Sequence, residues 1–203
     1  MNREIGRMNP KEARDSSGVK NMSVFISDLG DKLPKQVLPF ISLLLPHLAG
    51  ESYMMRNGIV QMIGYLIVKG FDVEKSEENS KKANDDGDED DENNNKETKE
   101  ELINILEERF RDVNSYTRGR CIHTWQYIIQ CRGTITNETM LIVLSNTIGR
   151  LQDKAAQVRK SAIQLLSTLL QYNPFGPQLN ITDWKNKLQQ YKVVTKYIRI
   201  APY

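Results

Sequence analysis

The sequence predicts an all-α fold, a solenoid of antiparallel helical hairpins, and three observations lead there. Segments 48–67, 110–129 and 151–170 align without a gap, and each carries an arginine eight positions after its apolar first residue, at Arg56, Arg118 and Arg159. Behind each arginine the seventh, tenth and eleventh residues are apolar: Ile63, Leu66 and Ile67; Trp125, Ile128 and Ile129; Leu166, Leu169 and Leu170. Those positions share one helix face, so each segment reads as an amphipathic second arm, with Leu166 expected to be fully buried. Upstream, the same three- and four-residue spacing marks a first arm for each: Val37, Ile41, Leu44, Leu48, then Leu102, Leu106, Phe110, then Leu141, Leu144, Ile148, Leu151. The joints, 49–54, 111–115 and 152–156, have the length that antiparallel helical neighbours require.

The second and third arginines lie 41 residues apart, inside the ~40–47 residue period of HEAT and armadillo units. The architecture expected is therefore a HEAT-repeat α-solenoid. Between the first and second arginines the distance is 62, and residues 72–97 account for the excess. That tract is acidic and asparagine-rich, with almost no apolar side chain to offset the entropy of ordering it, so it is expected to be a disordered insertion. Thr98 with Glu101 then makes a capping-box signature, predicting that helix restarts there. Ahead of the first hairpin, Val19, Met22, Ile26, Leu29 and Leu33 predict one helix, the second arm of an incomplete repeat. After Leu170, the run Asn173-Pro174-Phe175-Gly176-Pro177 stops the last helix, since proline lacks the N–H donor and restricts the residue before it. The expected organisation is a disordered segment 1–14, a partial repeat plus the first hairpin over 15–71, the insertion 72–97, two hairpins over 98–172, and a C-terminal segment 173–203.

Composition excludes several classes. Apolar residues make up 39% and charged residues 27%, as in soluble globular proteins. No apolar run approaches the ~20 residues of a membrane span, and the longest, 37–48, is interrupted by Pro39 and Pro46. Residues 1–14 contain no apolar core of a secretory signal. Cys121 and Cys131 fit neither a disulfide framework nor a zinc pair, which favours a reducing, cytosolic or nuclear setting. The glycosylation-type triplets at Asn21, Asn137 and Asn180 lack a secretory context and read as chance. His47 and His123 lie in different repeats with no metal motif around them, and the chain has no P-loop, nucleophile elbow or HExxH. No catalytic residue, metal ligand or cofactor is assigned, and the chain is not expected to be an enzyme. Trp125 occupies the position of Ile63 and Leu166, so it reads as core, not as a base-stacking platform shared with Tyr127.

Charge is more informative. Residues 72–101 hold 14 acidic and 5 basic side chains, so a chain of net charge +2 carries +11 elsewhere. Cations cluster near the turns of consecutive hairpins, at Arg109, Arg111, Arg118 and Arg120 and again at Arg150, Lys154, Arg159 and Lys160. Such a ridge would release counterions from DNA phosphates and give salt-sensitive, sequence-independent binding. Two readings stand for the repeat arginines. Asp112 and Asp153 each precede their arginine by six residues, at the turn, where they can bridge neighbouring units as a structural ion-pair ladder; the other reading is a ligand contact. The first unit has Gly50 at that place and Glu51 beside it. Two readings stand for the acidic tract as well: an inert spacer, or an anionic tether that joins two basic repeats and competes with DNA for Arg118, Arg120, Arg159 and Lys160.

The aligned segments also resemble the condensin complex subunit 1 family. The similarity is carried by Ser17-Gly18-Val19-Lys20 and by Gly50-Glu51-Ser52-Tyr53 with Arg56-Asn57. It is stronger in Arg109-Phe110-Arg111-Asp112-Val113-Asn114-Ser115-Tyr116 with Arg118 and Arg120. It continues in Gly149-Arg150-Leu151-Gln152-Asp153-Lys154, Val158-Arg159-Lys160, Ala162-Ile163-Gln164-Leu165-Leu166 and Asn173-Pro174-Phe175-Gly176. It covers roughly 11–188 apart from the acidic insertion, and no family pattern is evident after Tyr191. Family members are much longer, so the resemblance implies an internal piece of a HEAT-repeat regulatory subunit. It further implies a nuclear, chromosomal role in mitotic chromosome condensation, through the kleisin subunit and the SMC ATPase heads and through DNA. A HEAT-type adaptor that binds peptides in a concave groove, for transport or complex assembly, is the alternative.

Overall fold

The computed structural model of the chain describes residues 15–71, 88–131 and 135–172. The expected segments 1–14 and 173–203, and residues 72–87 of the expected insertion, lie outside the described residues. Among the described residues seven α-helices follow one another: α1 Ser17–Lys32, α2 Pro34–Val37, α3 Tyr53–Tyr65, α4 Asp88–Glu108, α5 Ser115–Gln130, α6 Asn137–Arg150 and α7 Ala156–Gln171. No strand occurs among the described residues, as the all-α reading requires.

Three of the second arms, α1, α3 and α5, begin where a polar side chain meets the free N–H groups of a first turn, while α7 follows Ala155 with no side-chain cap. Ser16 Oγ accepts from the Val19 amide at 3.2 Å, Ser52 Oγ from Met55 at 3.1 Å and Asn114 Oδ1 from Tyr116 at 2.8 Å. The second arms then stack in succession, α1 on α3, α3 on α5 and α5 on α7. Close approach is bought by glycine at the crossing points: a Cβ on Gly58 would meet the Ser23 carbonyl oxygen at 2.5 Å and one on Gly30 would meet Met62 Cγ at 2.5 Å. The core they enclose contains Ile26, Ile59, Ile63, Leu66, Leu106, Phe110, Ile122, Trp125, Ile128 and Leu165. Trp125 is fully buried against Phe110, ring centroids 6.5 Å apart, so it is core as the sequence indicates.

Four local expectations need correction. The first arm of the first hairpin is not a continuous α-helix: α2 gives way to 3₁₀ turns over Leu38–Leu43 and Leu45–Ala49. Pro39 and Pro46 sit in these turns, and neither can donate the i→i−4 bond that would continue an α-helix. The second correction concerns the insertion. α4 begins at Asp88, so residues 88–97 of the tract read as disordered are helical, and Thr98 is no N-cap, because its hydroxyl donates to the Asn94 carbonyl at 2.9 Å inside the helix.

Thirdly, α6 buries Val143 and Thr147, while Leu141, Leu144, Ile148 and Leu151 are only partly covered. Val143 and Thr147 stand sixteen and twelve residues before Arg159, where Leu102 and Leu106 stand before Arg118. The Thr147 hydroxyl is satisfied by the Val143 carbonyl at 2.6 Å, which makes the polar residue tolerable there. Fourthly, Leu166 is half-buried and Leu165 fully buried.

Candidate nucleic-acid and partner interface

The three aligned arginines form a ladder along the edge where first arms turn into second arms. Arg56 donates from Nε to Asp112 Oδ2 at 3.0 Å and from Nη2 to Oδ1 at 3.2 Å, a two-pronged bond across the hairpin boundary. Arg118 repeats it on Asp153, with both bonds at 2.8 Å. The remaining Nη1 of each closes its own turn: Arg56 on the Gly50 and Glu51 carbonyls, Arg118 on those of Asp112 and Val113. Each guanidinium thus locks its own turn and holds the next one. Planar, two-pronged geometry of this kind is specific to arginine.

The aspartates are buried and braced further. Asp112 Oδ1 accepts from the Asn114 amide at 2.8 Å, and Asp153 Oδ1 from Ala155 at 3.0 Å. Arg109 approaches Asp112 at 3.7 Å and donates to the Leu48 carbonyl at 3.3 Å; Arg150 approaches Asp153 at 3.2 Å. The hydrogen bonds from Arg118 hold the Asp153 carboxyl below its ordinary range, outweighing the opposing effect of burial. In the first unit, Gly50 stands at the aspartate position, and the polar partner of that turn is Asp15, which accepts from the Ser52 hydroxyl at 2.7 Å and the Met54 amide at 3.3 Å.

The eight cations singled out in the sequence therefore divide. Arg109, Arg118 and Arg150 are engaged by the ladder carboxylates and largely covered. Arg159 is exposed and closes only its own turn, donating to the Asp153 and Lys154 carbonyls at 2.8 and 3.1 Å. Arg111, Arg120, Lys154 and Lys160 have exposed side chains outside the ladder, Arg111 with a 3.3 Å bond to Asn146. Arg111 and Lys154 stand at the turns of consecutive hairpins, and Arg120 and Lys160 within the first two turns of α5 and α7.

Sequence reasoning missed two surface features. Tyr53 and Tyr116, at the starts of α3 and α5, stack with centroids 5.3 Å apart, and Val113, three residues before Tyr116, is exposed. Both lie within three residues of a ladder arginine, which was the available signal. On the opposite side, α4 and α6 leave a cleft of about 480 Å³ between them, lined by Ile103, Glu107, Thr139 and Ile142 among others. Burial there pushes the Glu107 carboxyl up. The histidines stay apart: His47 is buried in a 3₁₀ turn, while His123 faces Ser161 Oγ at 3.2 Å, its pKa lowered by burial and then by Arg120. Cys121 is fully buried, its thiol donates to the Leu106 carbonyl at 3.2 Å, and burial raises its pKa well above the usual thiol value.

Hairpins stacked through buried inter-repeat ion pairs, with an exposed basic edge, define a helical-repeat scaffold. No protein-family model matches the chain. It is 40% identical over 94% of its length to Condensin-1 complex subunit CAP-D2 of Arabidopsis thaliana, and 32% and 30% identical over 93% of its length to Condensin complex subunit 1 of Mus musculus and of Homo sapiens. The chain belongs to the condensin complex subunit 1 family. It spans 12–13% of the length of these relatives. The similarity to the plant relative is longer than the stretch 11–188 that carries the motifs.

Proposed function

We propose that this chain is a non-enzymatic scaffold segment of a condensin complex, acting at nuclear chromosomes in mitotic condensation. It would hold DNA through Arg111, Arg120, Lys154 and Lys160 and meet the kleisin subunit and SMC ATPase heads through other faces. The supporting observation is the division of labour among its cations: the ladder consumes Arg109, Arg118 and Arg150 to fix the hairpins and Arg159 closes its own turn, leaving four other exposed charges along the same edge. Phosphate contacts of this kind give affinity without sequence preference, which suits a subunit that holds chromatin at arbitrary positions. The similarity to condensin subunits of plant, mouse and human supports the condensin assignment.

The test is a titration with double-stranded DNA at several salt concentrations, beside pull-downs with kleisin and with SMC heads, each separately. Four phosphate contacts predict a log–log salt slope of about −3 to −4, and removing one cation lowers its magnitude by about one. The combined variant Arg111→Ala, Arg120→Ala, Lys154→Ala, Lys160→Ala should lose most DNA affinity while keeping its helicity. Unchanged affinity in that variant overturns the DNA reading. Capture of apolar peptides, with no binding to kleisin, SMC heads or DNA, would support the adaptor alternative instead.

A further inference from the structure

The edge that carries the ladder also carries a row of rings that stops short. Tyr53 at the start of α3 and Tyr116 at the start of α5 stack with centroids 5.3 Å apart and planes 27° from parallel. α5 lies between α3 and α7, in contact with each. Tyr53 reaches Tyr116 from the α3 side, so the other face of the Tyr116 ring is turned away from α3, toward the α7 side. No third ring follows there: Tyr116 stands two residues before Arg118, and the residue two before Arg159 is Gln157, with Ala156 beside it. Both of these are themselves exposed. Tyr116 is 57% exposed and Val113, three residues earlier, 92%, so neither side chain is held there by burial. Cations flank the open ring. Arg120 follows Tyr116 by one helical turn on the same face of α5, and Lys154 and Lys160 stand at the turn before α7 and within its first two turns, all three exposed.

We infer that Tyr116 is a stacking platform for an unpaired nucleobase, and that the DNA this edge prefers is therefore DNA with unpaired bases, a gap or a melted bubble, over intact duplex. The inference rests on the DNA reading above and narrows its substrate. A duplex offers its phosphates, but its base faces are covered by their own stacked neighbours. A flat ring adds nothing to that contact, whereas an unpaired base gains one base–aromatic stack. Such a base completes the row as its third ring, over the small or flexible side chains of Ala156 and Gln157, and the phosphates on either side of it come to Arg120 on α5 and to Lys154 and Lys160 by α7. Tyr53 backs the platform and restrains its ring, so little side-chain freedom is lost on binding. Charge and shape together select this occupant. Asp112 and Asp153 are held by Arg56 and Arg118, and Glu51 belongs to the turn before Tyr53, on the other side of the stack. The field at the open face of Tyr116 is thus set by cations, which calls for an anion, and the ring calls for a flat partner; a nucleotide is both.

Two DNA molecules of equal length and charge, one fully paired and one with a short central mismatch bubble, titrated against the full chain at several salt concentrations, test this. The bubble should bind about tenfold more tightly, the size of one base–aromatic stack, with nearly the same salt slope as the paired duplex, because the phosphate contacts are shared. Tyr116→Ala and Tyr116→Leu should each bring the bubble-to-duplex ratio down toward unity; the leucine keeps an apolar contact with Tyr53 but has no π face, and amide exchange of α5 checks that the helix persists. Tyr116→Trp should keep the ratio. A fluorescent adenine analogue in the bubble should be quenched by the wild type and by Tyr116→Trp, and not by Tyr116→Leu. Equal binding of the two DNA molecules by the wild type, or a ratio that survives Tyr116→Leu, overturns the inference and leaves the duplex contact standing. Binding of neither overturns both readings. Loss of kleisin or SMC-head capture in Tyr116→Leu, with the ratio unmoved, also overturns the inference and assigns the patch to a protein partner.

Discussion

Single side chains decide how the hairpins are held. Arg56 and Asp112 have side chains only 6% and 3% exposed, so breaking the pair from one side strands a buried charge. Asp112→Ala should destabilise the chain by about 3–5 kcal/mol in denaturant unfolding, and a loss below about 1 kcal/mol would mean that the pair is solvated in solution. Asp153 adds a pH signature. Its folded pKa lies below the ordinary 3.8, so its rung contributes fully at neutral pH, and the contribution is lost as pH falls from about 3.8 through the lower folded value. The wild type should therefore lose more stability over that acidic range than Asp153→Asn does; parallel curves would refute the assignment. Leu165 and Leu166 form a matched pair of probes. Leu165→Ala should cost about 2–5 kcal/mol, as cavities in packed cores do, and Leu166→Ala clearly less. The sequence placed Leu166 correctly in register with Ile63 and Trp125. What it did not carry is the neighbour that buries those two.

At the scale of the helix, glycines mark where arms touch. Gly58→Ala would drive a methyl group into the Ser23 backbone, with its Cα at 2.9 Å, whereas a methyl group at Gly119 meets nothing within 4 Å. Both residues are helical, so Gly119→Ala should stabilise by about 0.5–1 kcal/mol through helix propensity, while Gly58→Ala should destabilise. Thermal unfolding of the two variants settles the sign. The second arms were legible because an arginine and an apolar stripe repeat together. The first arms were harder, each for its own reason. Prolines break the first of them, although Val37, Ile41, Leu44 and Leu48 keep helical spacing. In α6 several apolar residues offer two stripes, and only the arginine register, extended upstream to Val143 and Thr147, picks the buried one. The start of α4 was hidden because residues 88–97 contain no apolar residue whose spacing could mark a helix. Of the eight candidate cations, the sequence could not separate those spent on the ladder, since that depends on which carboxylate each faces across the hairpin boundary.

For the molecule as a whole, contacts run between neighbours, so stability is close to a sum over units and their shared boundaries. A variant such as Arg118→Ala should loosen α6 and α7 more than α1 and α3 in amide exchange, and uniform loosening would argue against boundary-limited coupling. The two sides of the array differ in kind. Second arms are in continuous contact and cross-linked along one edge, while α4 and α6 stand apart across their cleft. A body that is stiff along one side and gapped along the other behaves as a leaf spring. It bends by widening or narrowing the gap and needs no buried contact to break, so an array of such units can change its curvature under load and return to its resting shape when released.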